Sequence, residues 1–435
     1  MINVNAENWK IQYISDLGTI YSGSTPSTHN QDFWNGDIAW ITPNDLSEIK
    51  SLFIHSSERK ITIAGLQSCS AKLLPAKSLV ISSRAPIGYL ALPTTNFCTN
   101  QGCKSIVFNP EQDPEFHYYN LLFRVKLIKE KGEGTTFSEI SKAALSKIKI
   151  PVPLSISTQS KIAEVLSKID KAIAQTETLI AKYKRIKTGL MQDLLTRGID
   201  EHGQLRDPST HKFKRSPLGM IPDEWDIFRL ENVTLKITSG SRFWASYYSD
   251  EGAKFIRIGN LTREHINLRL DNVQYVTPPL SSEAKRTLLK TGDLLVSVTA
   301  DLGIIGVVPE NFGEAYINQH IALITLDQDR VNPWWLGNFL AGHTAQQSIP
   351  QLNESGAKAG LNLPTVANLL ITVPRKLEEQ NRVAKILKTI DDKLVILYQS
   401  CEKLNFIKLG LMQDLLTGKT SVKPLLTNHE CIPKS

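Results

Sequence analysis

Most of the side chains in this chain that could do chemistry fail on spacing. Thr417-Gly418-Lys419-Thr420 has the ending of a phosphate-cradling loop, but Gln413 stands where the first glycine belongs. The run also follows a helical pattern, whereas a phosphate loop must follow a strand and open a helix. A helix end capped by Gly418 accounts for it. No glycine-rich dinucleotide turn follows a strand, no nucleophile elbow is present, and no Asn-Pro-Pro-aromatic or Asp-Pro-Pro-aromatic tetrapeptide could hold a base nitrogen. The five cysteines (Cys69, Cys98, Cys103, Cys401, Cys431) form no CxxC pair, which argues against both a disulfide framework and a zinc site. The nine histidines are scattered, and His320 in INQHI reads as a structural residue. The chain is expected to be non-catalytic and to carry no cofactor or metal of its own. What does recur is an amide pair: Asn100-Gln101 and Asn318-Gln319 each follow a short β-rich run.

That recurrence belongs to a larger one. GLMQDLLT occurs at 189–196 and again at 410–417, an offset of 221 residues. The same offset carries Pro153 onto Pro374, Gln159 onto Gln380, Leu166 onto Leu387 and Asp170 onto Asp391. Upstream the match loosens, as loop insertions would make it. Trp9 with Ser22-Gly23-Ser24 parallels Trp225 with Ser239-Gly240-Ser241, and Trp40-Ile41 parallels Phe255-Ile256. Leu79-Val80-Ile81-Ser82 before Gly88 parallels Leu294-Leu295-Val296-Ser297 before Gly303. The chain is a tandem duplication, and such a repeat fixes the architecture before any local reading.

Each copy is a globular half followed by a long helix. At 435 residues and 48.6 kDa the chain exceeds what one core usually holds. The halves read as α+β, with short runs such as SLVISS (78–83), KSIVF (104–108), DLLVSV (293–298) and IALITL (321–326), and helical patches at 115–129 and 332–343. From 158 to 195 strong helix formers carry an apolar stripe through Ile162, Val165, Leu166, Ile169, Ile173, Leu179, Ile180, Tyr183, Ile186, Leu190 and Leu194. The second copy repeats it from Val383 to Leu415, including Leu387, Leu394, Leu397, Leu404 and Ile407. A lone amphipathic rod cannot bury its stripe, so the two helices are expected to pair antiparallel as an intramolecular coiled coil with pseudo-twofold symmetry. They should end at glycine C-caps, Gly198 and Gly418. The expected parts are a first domain (1–153), a central helix (154–198), a polar, turn-rich linker (199–224), a second domain (225–374), a C-terminal helix (375–418) and a tail (419–435).

Net charge is +7, a mild excess that permits an acidic partner without demanding one. The excess lies on the helices: 154–198 carries eight basic residues against four acidic, while 225–374 carries twelve against fourteen. No apolar run is long enough for a membrane span and no signal peptide opens the chain, so a cytoplasmic location is expected.

This architecture resembles the specificity subunit of type I restriction-modification systems. The marks are SGSTPS (22–27), DIAWITPNDL (37–46), SSRAPIG (82–88), TNQGCKS (99–105), the linker RDPSTHKFKRSPLGMIPDEW (206–225) and the twice-written GLMQDLLT. The resemblance implies that each half is a target-recognition domain reading one half-site of double-stranded DNA, and that the helices set the gap and dock two methyltransferase subunits. Equal docking surfaces need equal sequence, and unequal half-sites need unequal domains. It further implies adenine N6 methylation from S-adenosylmethionine on the methyltransferase subunits, with the target base flipped. ATP-driven, Mg2+-dependent cleavage would belong to restriction subunits. Base edges are read by Asn, Gln, Arg and Lys on loops. On that basis the expected contacts are Ser24, Thr25, Asn44, Arg84, Asn100 and Gln101 in the first domain, and Arg242, Arg257, Asn260, Asn318, Gln319 and Lys358 in the second. The repeated amide pairs could equally form a fold-stabilising network. Two alternatives remain: a specificity subunit for a fused methyltransferase-nuclease, or a coiled-coil scaffold that does not bind DNA.

Overall fold

The computed structural model of the protein describes residues 8–49, 51–84, 86–132, 139–240, 242–349 and 360–427. The chain divides into two compact units, one of Met1–Thr178 with Gln399–Ser435 and one of Leu179–Tyr398.

In the first unit the fully buried run Leu79–Ser82 is the middle of a five-stranded sheet, flanked by Cys103–Phe108 and Leu90–Pro93. Buried on both faces, it has no polar alternation, as such a strand requires. Gly18–Ser22 extends the sheet on one side and Phe53–Ile54 on the other. A second sheet pairs Trp34–Ile41 antiparallel with Lys60–Ile61 and parallel with Phe97–Thr99. Trp9–Tyr13 pairs antiparallel with Lys149–Pro153, the strand that feeds the long helix Ile156–Thr196. Helix Pro114–Phe123 is capped by Asp113, which accepts from Phe116 N–H at 2.9 Å, and it packs Phe116 and Tyr119 into the core. Gln159 fastens the long helix to it: its Oε1 accepts from Asp113 N–H (2.8 Å) and its Nε2 donates to Pro153 O (2.9 Å).

The second unit repeats this plan. Leu294–Ser297 lies between Ile321–Leu326 and Ile305–Val307, with Thr234–Ser239 outermost. Ala253–Ile256 pairs parallel with Ala315–Ile317, and Trp225–Arg229 antiparallel with Leu370–Pro374. Gln380 makes the same two bonds as Gln159, from Asn332 N–H (2.8 Å) and to Pro374 O (2.8 Å).

The long helices, Ile156–Thr196 and Leu377–Leu416, end before Gly198 and Gly418, at φ of 62° and 73°, the left-handed conformation glycine adopts without a Cβ clash. Thr417–Thr420 is therefore a helix cap, as the sequence implied. Antiparallel pairing is visible within each unit. In the first, Lys408 lies 2.7 Å from Asp170 and Arg124 donates to Leu416 O at 2.8 Å. In the second, Lys187 lies 2.6 Å from Asp391. These are one ion pair written twice, since 187 and 408, like 170 and 391, differ by 221.

Three expectations need correction. The apolar stripe is not buried throughout: Leu179, Ile186 and Ile407 are exposed. Helix pairing covers a narrow seam, and the stripe's outer edge lies beyond it. Ile162 and Leu166 join the first globular core together with Met412, Leu415 and Leu416, while Leu194 and Leu195 join the second. The linker is not a loose connector either. Phe213–Ser216 and Gly219–Pro222 form a hairpin, Ile199 and Ile221 are core residues, and the buried Arg206 pairs with Glu379, which also accepts from Ile199 N–H (3.1 Å) and Trp225 Nε1–H (3.2 Å). Finally, the helical patch at 115–129 breaks in two at Arg124, whereas that at 332–343 is the single helix Pro333–Ala341, followed after Gly342 by the short helix His343–Ser348. Among the described residues no helix is long and apolar enough to cross a membrane.

Candidate nucleic-acid interface

The repeated amide pairs sit where parallel strands stop side by side. In the first domain Ile41 and Thr99 are paired at the ends of their strands, so the loops that follow start together; in the second, Ile256 and Ile317 do the same. Asn100 N–H donates to Ile41 O (3.0 Å), and Asn318 N–H donates to Ile256 O (3.1 Å). Asn100 Oδ1 then accepts from Gly102 N–H (3.0 Å) and Asn318 Oδ1 from His320 N–H (3.2 Å), the side-chain-to-backbone turn that asparagine forms readily. Both asparagines therefore shape the turn. The glutamine beside each is left pointing further out: Gln101 is exposed and Gln319 is half-buried.

A third loop closes on each turn. Gly23 N–H donates to Cys103 O (3.4 Å), and Gly240 N–H donates to Ile321 O (3.1 Å). A Cβ at Gly23 would lie 1.9 Å from Asn100 O, and one at Gly240 would lie 1.9 Å from Asn318 O. Only glycine permits this approach. A fourth element arrives from the central strand. Ser83 N–H donates to Gly102 O (2.8 Å) and Val298 N–H to His320 O (3.0 Å). One end of each domain is thus built from four chain segments by matching backbone bonds.

The side chains on this shared frame differ. In the first domain Thr25 Oγ1 donates to Gln101 Oε1. Arg84 lies 4.0 Å from Glu139, which also holds the buried Lys104 at 3.3 Å. Asn44 is exposed on the short helix Pro43–Ser47, whose start is fixed by the Thr42 and Asp45 side chains. In the second domain Thr299 takes the place of Arg84, and its Oγ1 lies 2.7 Å from His320 Nδ1. The other ring nitrogen of His320 lies 3.1 Å from Gln319 Nε2. Arg257 is half-buried and Arg242 exposed.

Not every expected contact is placed to meet a ligand. Asn260 is 3% exposed; its Oδ1 accepts from Arg257 N–H (2.9 Å) and its Nδ2 donates to Arg269 O (2.9 Å), so it holds a loop together. Asn318 is also buried, in its turn-forming role. Lys358 lies outside the described residues. Spacing gave no sign of Arg59, an exposed guanidinium 3.6 Å from the ring centre of Trp34 and stacked near Trp40. Those two indoles hold the SGSTPS loop by donating to Ser27 O (3.1 Å) and Ser24 O (3.0 Å), which brings Arg59 to the same end. No motif marks it, because the contact joins residues 59 and 34 across a fold, although a basic side chain among tryptophans is a usable hint.

The arrangement offers hydrogen-bonding side chains on a stiff backbone frame. Among the described residues no cluster of three His, Cys, Asp or Glu is placed to hold a metal ion. The buried His117, on helix Pro114–Phe123, is pushed down to about 3 by loss of solvation.

A family model described as the type I restriction modification DNA specificity domain matches residues 6–185 and 222–405. The chain is 33% identical over 263 residues to the MjaIX specificity subunit of Methanocaldococcus jannaschii, a stretch spanning 59% of this chain and 59% of that protein. It is 24% identical over 424 residues to the MjaVIII specificity subunit of the same organism, covering 96% of this chain and 94% of the other. Its fold is similar to that of the type I restriction-modification S subunit from M. genitalium, with a TM-score of 0.63 at 16% identity, covering 96% of this chain and 98% of that one.

Proposed function

Because the chain belongs to the type I restriction modification DNA specificity family, we propose that its two loop-bearing domain ends are two readers of one asymmetric, bipartite DNA target. The observation that carries this reading is the matched frame with unmatched side chains. Thr25, Arg84 and Gly102 stand where the second domain has Arg242, Thr299 and His320, around a glutamine, Gln101 or Gln319, that both share. Amide and guanidinium groups on such loops suit donor and acceptor patterns in the major groove, where the four base-pair orientations are distinguishable.

Nearly neutral domains supply little phosphate neutralisation, so methyltransferase subunits around the duplex would provide much of it. Their docking sites would be the solvent-facing sides of the two helices, with the apolar positions left exposed there, Leu179, Ile186 and Ile407 among them. S-adenosylmethionine belongs on those subunits, and ATP with Mg2+ on restriction subunits. The chain assembled with its methyltransferase partner, presented with a random duplex pool, should enrich two fixed half-sites separated by a fixed gap. Enrichment of no sequence would favour the scaffold reading instead.

A further inference from the structure

Phe243 is 90% exposed, and its backbone is left-handed at φ 61°. A bulky residue holds that conformation only when its surroundings impose it. Here they do so from both sides. Trp244, next in the chain, is 3% exposed; it stacks on Phe255 with ring centres 5.6 Å apart and tilts against Tyr316 at 5.2 Å. Its Nε1–H donates to Glu283 Oε2 (3.3 Å), and the N–H of Arg242 donates to Oε1 of the same carboxylate (3.2 Å). Glu283 opens the short helix Ser282–Thr287, and Arg286 on that helix donates to Thr238 Oγ1 and Ser239 O at the end of the strand leading to Gly240. The residues flanking Phe243 are clamped to the domain, and its ring is bare.

The position is informative too. Phe243 lies three residues beyond Gly240, the glycine pressed against the Asn318 turn. In SGSTPS of the first domain, Pro26 occupies the equivalent place and is buried. The exposed ring is therefore peculiar to the second domain, and the exposed Arg242 beside it can face phosphate.

We propose that Phe243 is an apolar wedge that enters a base-pair step of the half-site read by the second domain. This rests on the reading of the chain as a DNA-recognition subunit. An inserted side chain must keep its place while it unstacks two base pairs, and a ring presenting its faces from a clamped backbone can do that. The step entered is pyrimidine-purine (TA, CA or TG), since those unstack most easily.

The test uses the full chain assembled with its methyltransferase subunits, and target duplexes carrying 2-aminopurine at successive purines of each half-site, the methylated adenine excepted. The parent should raise fluorescence several-fold at one step of the second half-site. Phe243→Ala should lose that signal and bind about 5- to 150-fold more weakly, the range expected for one lost base-aromatic stack. Phe243→Trp should keep the signal, and reporters in the first half-site should not change. If Phe243→Ala opens the same step and binds as the parent does, the wedge is refuted while DNA recognition stands. A variant that fails to assemble, with DNA signals otherwise intact, would place the ring at a protein interface and refute it too. Absence of any sequence-selective binding by the parent would overturn the underlying reading.

Discussion

The duplicated ion pair allows one substitution to be made twice in different surroundings. Lys187 and Lys408 are the same position in the two copies, but Lys187 and Asp391 are 9% and 2% exposed, whereas Lys408 and Asp170 are 23% and 28% exposed. Lys187→Met keeps the stem and removes the charge. It strands the Asp391 carboxylate in the second unit and deprives Glu264 O of a donor now at 2.8 Å. Breaking a buried pair in this way costs about 3–5 kcal/mol. Lys408→Met leaves Asp170 with solvent access and the Tyr119 hydroxyl at 2.8 Å, so the loss should be about 1 kcal/mol. Burial already raises the Asp391 pKa against the pull of Lys187. A carboxyl with a raised folded pKa is stabilising when protonated, so stability falls as pH rises from its unfolded pKa through its folded one. Removing Lys187 raises the folded pKa further. The penalty of Lys187→Met should therefore be full near pH 8 and smaller near pH 5, because protonation relieves the stranded charge. Hydrogen exchange resolved by peptide, in rising urea, measures each unit separately. Equal losses for the two variants, or a Lys187→Met penalty that grows on acidification, would refute the reasoning.

Gly23→Ala places a methyl group in the path of Asn100 O, and Gly240→Ala one in the path of Asn318 O; each should cost about 1–3 kcal/mol and degrade recognition of one half-site only, as read by methylation mapping. His117, stacked on Phe108 with its Nε2 2.8 Å from Gln112, is held neutral to about pH 3, against 6.5 when unfolded. The unfolded chain therefore binds the extra proton between those values, stability falls with acidification at up to about 1.4 kcal/mol per pH unit, and His117→Gln should flatten the slope in urea titrations. Inserting four residues at both Gln175 and its counterpart Ile396 adds about 6 Å of helix and nearly preserves phase, so the preferred gap between half-sites should lengthen by about one to two base pairs. Two-residue insertions turn the stripe by about 200° and should abolish assembly, checked by co-purification.

What could be read in the sequence was whatever repeats. The offset of 221 exposed the duplication, the helices and their glycine ends, and the Asn-Gln turns, because each is a local pattern copied with its neighbours. The packing of the linker could not be read, since Arg206 meets Glu379 across 173 residues and its polar surroundings look like a loop. Asn260 was misjudged for a related reason: an asparagine that turns inward to bind Arg269 O is the same letter as one that turns outward. Nothing in SGSRFW sets the Phe243 ring apart from that of an ordinary buried phenylalanine. Only the clamp between Glu283 and Trp244 shows that the ring is held out.

The central claim is that each domain end reads its own half of the target. Residues 225–374 would be replaced by the corresponding domain of another family member, with the first domain and both helices unchanged, and N6-methyladenine mapped across the genome of a host expressing the complex. One half-site should change to a new sequence, while the other half-site and the gap are retained. Simultaneous change of both half-sites, or an unaltered motif in a well-assembled complex, would contradict the account.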